Sequence, residues 1–231
     1  MAFAEALERL EERIHGACAR SGRAREELTL LGVSKFHSRE EVEEAWGKGI
    51  RFFGESRVRE GAEKFSGFRE SRPGTEIHMI GSLQSNKARA AVSLFDCVQS
   101  LDRDSIIREL GKYAVSREKP LRVLLELHTG EESKKGFSGE ESLFRAAETV
   151  LSFPGLRIAG LMTMAPFTGL EEGLRSSFRA VVKARSKLES RFPGSDWSCL
   201  SMGMSNDFET AIEEGSTLIR IGTLLFGERP G

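Results

Sequence analysis

Three cysteines in 231 residues, Cys18, Cys97 and Cys199, fit no metal-type spacing and leave one unpaired under any disulfide scheme. Metal-cluster and disulfide-framework classes are excluded, and reduced, mostly buried thiols are the simpler reading. There is one tyrosine, Tyr113, and the four histidines form no Ser-His-Asp arrangement that spacing supports. No apolar run approaches the ~20 residues that span a bilayer. The opening stretch Met1 to Glu8 carries acids where an export signal carries positive charge, so the expected location is the cytoplasm. Neither charge sign dominates: 34 basic and 35 acidic side chains leave a net of −1, against a broad nucleic-acid surface. Linkers rich in proline, glycine or serine are missing as well, and the chain reads as one domain over residues 1–231.

What remains is a regular alternation. Phe3, Leu7, Leu10 and Ile14 stripe an opening helix. Eight short apolar runs follow: Leu28–Lys35, Arg51–Gly54, Ile77–Ile80, Cys97–Leu101, Arg122–Leu127, Leu156–Leu161, Cys199–Ser201 and Leu218–Ile221. Helical patterns separate them. Ser38 with Glu41 and Ser138 with Glu141 spell capping boxes, and Ser85 and Asp102 sit where helix caps belong. Val42, Ala45 and Trp46 are the expected inner face of one helix, and Val58, Ala62 and Phe65 that of the next. This alternation demands a parallel sheet, and eight units at this length predict a closed (β/α)8 TIM-type barrel with an extra N-terminal helix; an open doubly wound sheet is the alternative.

In such a barrel, chemistry gathers at the carboxyl ends of the strands. The first run ends in Lys35, an ammonium close to apolar walls, where desolvation makes a nucleophilic amine; a snorkelling lysine is the plainer reading. Ser201 to Asp207 is a small turn entering a helix, with Ser205 as an added donor, and Gly222-Thr223 offers a second pair of amides and a hydroxyl. Together they suit a phosphate, although Ser205 as a cap and Gly222 as a turn would satisfy the same spacing. A lysine and a phosphate cradle across one mouth suit a carbonyl phosphate held as a Schiff base, with pyridoxal phosphate the obvious candidate. Arg220, if inward, reaches the ring nitrogen and leaves it unprotonated; a salt bridge inside the barrel is the alternative. His78, Met162 and Ser201 are further candidate contacts, although the plainer reading of His78 is a satisfied core histidine and that of Met162 is packing of the mouth. His15 and His37 read as surface residues, and Glu131, Lys134 and Lys135 as a solvated loop.

Lys35, Phe53-Gly54-Glu55, His78 to Lys87, Gly160-Leu161-Met162, Leu200 to Ser205, Arg220 to Thr223 and Phe226 to Arg229 occur in one order. Together they resemble the pyridoxal phosphate homeostasis protein family, whose members look like the barrel domain of alanine racemase standing alone. The resemblance implies a fold-type III barrel with pyridoxal 5'-phosphate on Lys35 as an internal aldimine. It implies phosphate contacts from Ser205, Gly222 and Thr223, and Arg220 facing the pyridine nitrogen. It also implies handling of the cofactor, with apo forms of PLP-dependent enzymes as recipients, by a monomer or weak dimer. One position departs: the family usually reads Gly-Glu-Asn where this chain reads Gly54-Glu55-Ser56, which shortens any contact made there.

Two other functions compete. A weak amino-acid racemase or lyase would need a second base such as His78, Lys87 or Lys134. The chain closing soon after the eighth strand, without a β-rich second domain, and Tyr113 on an expected outer helix speak against it. An aldolase-like barrel would use Lys35 on a sugar phosphate without a cofactor.

Overall fold

Each apolar run read as a strand is one, shifted by at most two residues at either end. A computed structural model describes residues 3–130, 136–166 and 171–228. Within it β1 (Thr29–Val33), β2 (Phe52–Glu55), β3 (Glu76–Met79), β4 (Cys97–Leu101), β5 (Leu121–Glu126), β6 (Leu156–Met162), β7 (Cys199–Ser201) and β8 (Leu218–Ile221) form a closed parallel barrel in chain order. The expected barrel, not the open sheet, is the architecture. Leu31 of β1 pairs with Phe52 on one side and with Arg220 of β8 on the other, which closes the ring.

The helices lie outside. Preceding the barrel is α1 (Phe3–Arg20); α2 (Arg39–Gly47) follows β1, and α3 (Val58–Lys64) with α4 (Phe68–Ser71) follows β2. Further on come α5 (Ala88–Leu94), α6 (Asp104–Ala114), α7 (Glu140–Leu151), α8 (Glu171–Arg191), α9 (Phe208–Glu213) and the short α10 (Thr223–Phe226) after β8. The extra helix α1 packs on α9 and α10, burying Leu10, Ile14 and Ala17 and pairing Arg13 with Glu209 at 2.6 Å.

Between barrel and helices lies the main core, with Phe53, Phe68, Phe95, Phe178, Phe208 and Trp197 buried. Inside the barrel, Leu31, Val33 and Leu218 pack with Phe52, Ile80 and Cys199, and Cys97, Leu124, Ala159 and Met162 form a second patch. Gly160 makes the pairing of β6 with β7 possible: a Cβ there would lie 1.8 Å from the Cys199 carbonyl oxygen, and its φ is +145°. Only glycine accepts both constraints.

Local expectations fared unevenly. The Ser38–Glu41 capping box is formed, with both reciprocal bonds. That of Ser138 and Glu141 is not. Phe137 is drawn to the barrel by backbone bonds to Glu126 and His128, so the entry to α7 falls one residue later, on Gly139 at φ +77°. Asp102 does not cap α6 either: its buried carboxylate turns to Arg103 and the Ser82 hydroxyl. Ser85 opens a 3-10 turn (Ser85–Lys87) and makes no side-chain cap. Trp46 is half-buried and Ala62 exposed, whereas Lys64, on the same helix as Ala62, is 7% exposed. His37 is buried, not a surface residue, and His15 is exposed as expected.

Candidate functional site

The site is built on the exit of β1. Ser34, fully buried, continues the ladder with its amide on the Gly54 carbonyl, and its hydroxyl donates to Glu55 Oε1 at 2.8 Å. Behind it the Lys64 ammonium donates to the Ser34 carbonyl at 2.5 Å, to Glu55 Oε1 at 2.7 Å and to Glu60 Oε1 at 3.0 Å. Burial pushes the Glu55 carboxyl up from its ordinary value, with Lys64 pulling the other way. Among the described residues its second oxygen has no hydrogen-bond partner. A buried ion pair of this kind fixes geometry more than it adds stability.

Lys35 comes next, half-buried, two residues past the end of β1. Phe36 then takes φ +70°, the left-handed region, and among the described residues no other non-glycine residue has a positive φ. Such a conformation costs about 1–2 kcal/mol and persists only where neighbours enforce it. Here the neighbours are Glu60, which accepts the Phe36 amide, and Arg57, whose guanidinium lies 5.3 Å over the phenyl ring. The His37 amide returns to the Ser34 carbonyl at 3.1 Å. Lys35 is thus carried on a tight turn pinned from both sides.

Across the mouth stand the exits of β7 and β8. The Arg220 amide donates to the Gly203 carbonyl at 3.0 Å, which lays the two turns side by side. Asp207 Oδ1 accepts the Met204 amide at 2.5 Å, closing the first turn around Ser205. Gly222 precedes α10, and Thr223 is its first, exposed residue. Ser205 thus lies on one of these turns, and Gly222 and Thr223 on the other.

Arg220 points into the barrel and is 4% exposed. Its partners are the Ser201 carbonyl at 2.8 Å, the Ser201 hydroxyl at 2.6 Å and the Thr163 carbonyl at 2.8 Å. All three are neutral acceptors, and the charges of Asp207 and Glu126 also favour the protonated form. Burial lowers its pKa to about 10, which still leaves it protonated at neutral pH. Ser201 is fully buried beside it, and Met162 is buried in the barrel wall at the end of β6. His78 lies deeper. Its Nδ1 meets Gln99 Nε2 at 2.8 Å and its Nε2 meets Glu76 Oε2 at 3.3 Å, so it is a satisfied core histidine. Burial lowers its pKa.

Of the bases a racemase would need, Lys87 is exposed on the 3-10 turn and Tyr113 is exposed on α6. Lys134, with Glu131 and Lys135, lies outside the described residues. Ser56 is half-buried at the exit of β2, its carbonyl oxygen 2.4 Å from where a Cβ on Gly81 would stand. Sequence reasoning missed Lys64, Glu60 and Gln99. Only Glu55, in the Gly54-Glu55-Ser56 segment, carried a signal.

Residues 6–230 match the family described as alanine racemase, N-terminal domain. Pyridoxal phosphate homeostasis proteins are 39% identical in Aquifex aeolicus, over 97% of this chain and 97% of that one, and 38% identical in Escherichia coli K12, over 98% and 97%. The chain belongs to the pyridoxal phosphate homeostasis protein family. PipY of Synechococcus elongatus PCC7942, whose structure is known with PLP bound, superposes on this family member with a TM-score of 0.84 at 30% identity, covering 98% of this chain and 100% of PipY. An alanine racemase of Clostridium difficile 630 shares the fold, with a TM-score of 0.76 at 15% identity; the present chain spans 58% of its length.

Proposed function

We propose that this chain binds pyridoxal 5'-phosphate at the barrel mouth and serves the homeostasis and delivery of that cofactor, the whole of residues 1–231 acting as one binding unit. The observation that carries the reading is Arg220, a buried, protonated guanidinium whose hydrogen bonds, among the described residues, go to neutral acceptors. A permanent donor so placed suits a pyridine nitrogen, which it keeps unprotonated. The ligand needs three chemically different partners, and residues of all three kinds stand at the exits of the adjacent strands β7, β8 and β1. The residues fit the group.

Bound there, the cofactor supplies an aldehyde for an amine and a ring whose electron-withdrawing power depends on the proton state of its nitrogen. Lys35 gives the amine, and its pinned turn holds that amine over the mouth. Ser205, Gly222 and Thr223 take the phosphate through hydroxyls and amides, and Met162 lines the ring. Ser201 and His78 contribute from below, Ser201 through its hydrogen bond to Arg220. Because Arg220 keeps the ring nitrogen unprotonated, the residues favour holding and releasing the cofactor over turnover of a substrate. We place this activity in the cytoplasm, in a monomer or weak dimer, with apo forms of PLP-dependent enzymes as recipients. Among the described residues no helix is long and apolar enough to cross a membrane.

The test is direct. The purified protein, incubated with pyridoxal 5'-phosphate, reduced with borohydride and digested, should yield one labelled peptide, bearing Lys35. A label elsewhere, or none, overturns the reading.

A further inference from the structure

The interior of the barrel carries a line of polar side chains that reaches beyond the residues the cofactor reading uses. It runs from Arg122 on β5 to Glu76 on β3, then His78 on β3, Gln99 on β4, Ser201 on β7 and Arg220 on β8. Gln99 and Ser201 meet at 2.6 Å although β4 and β7 are not neighbours in the sheet, so the line crosses the barrel. Gln99, Ser201 and His78 are 0%, 0% and 4% exposed, and each is satisfied by the next.

The direction of every bond follows from the two ends. Arg220 only donates, so the Ser201 oxygen accepts from it. The one hydroxyl proton of Ser201 is then free to go to Gln99 Oε1. That turns the Gln99 amide nitrogen toward His78 Nδ1, which must accept. His78 therefore keeps its proton on Nε2 and gives it to the Glu76 carboxylate, which only accepts. In the reverse arrangement the Gln99 oxygen would face a proton on His78 Nδ1, and a neutral His78 would then turn a lone pair on the carboxylate. The reverse therefore needs a cationic His78, which burial disfavours. The groups facing His78 are Glu76, Arg122 and Asp96, with the edge of Phe52 6.0 Å away.

We propose that Gln99 is a positioning residue for Arg220: through the one-way chain Glu76–His78–Gln99–Ser201 it fixes the Ser201 hydroxyl as an acceptor and so aims the guanidinium at the cofactor's ring nitrogen. This rests on the cofactor reading above. Sequence spacing gives no hint of it, because the four strands meet only through the closed barrel.

Two measurements test it. In histidine-labelled protein without added cofactor, NMR should show His78 neutral at pH 7 with Nε2 protonated; an Nδ1-protonated or doubly protonated ring overturns the chain. Gln99→Leu removes both links of the relay. It should raise the Kd for pyridoxal 5'-phosphate about 5- to 30-fold, the worth of a buried hydrogen-bond pair, and shift the visible absorption band, while borohydride still labels Lys35. Unchanged affinity and spectrum in the folded variant overturn the proposal. If Gln99→Leu fails to fold, Ser201→Ala, which removes only the hydroxyl, should shift the same band, and an unmoved band is the contrary result. Gln99→Glu keeps the acceptor toward Ser201 but sets a second carboxylate against His78 Nδ1, so it should leave His78 protonated on both nitrogens at pH 7 and retain more affinity than Gln99→Leu. The Lys35 label in the wild type separately decides the cofactor reading, and the tautomer decides the chain without it.

Discussion

The imidazole of His37 stacks on the phenyl ring of Phe226, with centroids 4.9 Å apart and planes 27° from parallel. His37 lies two residues after Lys35, and Phe226 closes the short helix that begins at Thr223. One ring contact thus joins the turn that bears the amine to the turn proposed for the phosphate. His37 Nδ1 is also held by Glu41 at 2.9 Å, which fixes the ring in the stacking plane.

A double-mutant cycle measures that joint. His37→Ala and Phe226→Ala should each destabilise the fold in urea, with a coupling energy of about 1 kcal/mol between them. Both single variants should also release pyridoxal 5'-phosphate faster than the wild type, in stopped-flow trapping by an apo enzyme. Additive stability losses would show that the two turns are held independently.

The eight strands were legible because each is a short apolar run between turn residues, and a barrel interior plus a helix layer leaves both faces of a strand apolar. The rim was legible for a related reason: barrel topology places every strand exit on one ring, so Lys35, Ser205, Arg220 and Gly222 needed no distances to be grouped. What escaped was burial that contradicts residue type. Lys64 sits on a helix face that should be apolar, and it is inside only because Glu55 and the Ser34 carbonyl wait for it. His37 is buried by Phe226, nearly two hundred residues downstream. Gln99 looks like an ordinary polar residue in an apolar strand until β7 stands opposite. The failed caps at Ser138 and Asp102 have the same origin, since tertiary partners outbid a local cap.

Lys64→Met strands the Glu55 carboxylate in the core. The variant should lose about 3–5 kcal/mol at pH 7 by chemical denaturation. Glu55→Gln combined with Lys64→Met should recover part of that loss, because no unpaired charge remains. The folded pKa of Glu55 is raised, so its favourable contribution is full below the unfolded value and fades as pH rises. The deficit of Lys64→Met should therefore shrink toward acid.

Phe36 holds a left-handed backbone, so substitutions there divide by conformation and not by size. Phe36→Gly should change stability by less than about 1 kcal/mol, since relief of strain offsets the lost contact with Arg57. Phe36→Val, β-branched at φ +70°, should cost about 2 kcal/mol and loosen the Lys35 turn. Thermal unfolding of the three proteins decides it. Equal losses would mean that the ring, not the backbone, matters.

The acid limb of stability should carry the signature of Glu76. Hydrogen bonds from His78 and Arg122 lower its pKa from 4.5 to about 2. A depressed carboxylate contributes stability that is present above its unfolded pKa and lost as pH falls through the folded one. Stability should thus decline between pH 4.5 and about 2, and Glu76→Gln should flatten that part of the urea-midpoint profile. His78 is depressed too, and acts in the same direction below its ordinary 6.5. An unaltered slope in Glu76→Gln would assign the acid limb to other groups.

Arg220→Lys separates charge from geometry. The lysine keeps the positive charge but offers one ammonium in place of a planar fork, so it cannot reach the Ser201 carbonyl, the Ser201 hydroxyl and the Thr163 carbonyl together. At least one buried acceptor loses its donor, at a cost of about 1–3 kcal/mol in folding stability. An ammonium is also a less certain donor to a ring nitrogen, since its pKa falls readily on burial. The variant should bind pyridoxal 5'-phosphate about tenfold more weakly, roughly 1.4 kcal/mol, and change the absorption of the bound form, with Lys35 still the labelled residue. Wild-type affinity and spectrum in Arg220→Lys would mean that only a charge is needed beneath the ring, and that the fork held by Ser201 and Thr163 serves the barrel alone.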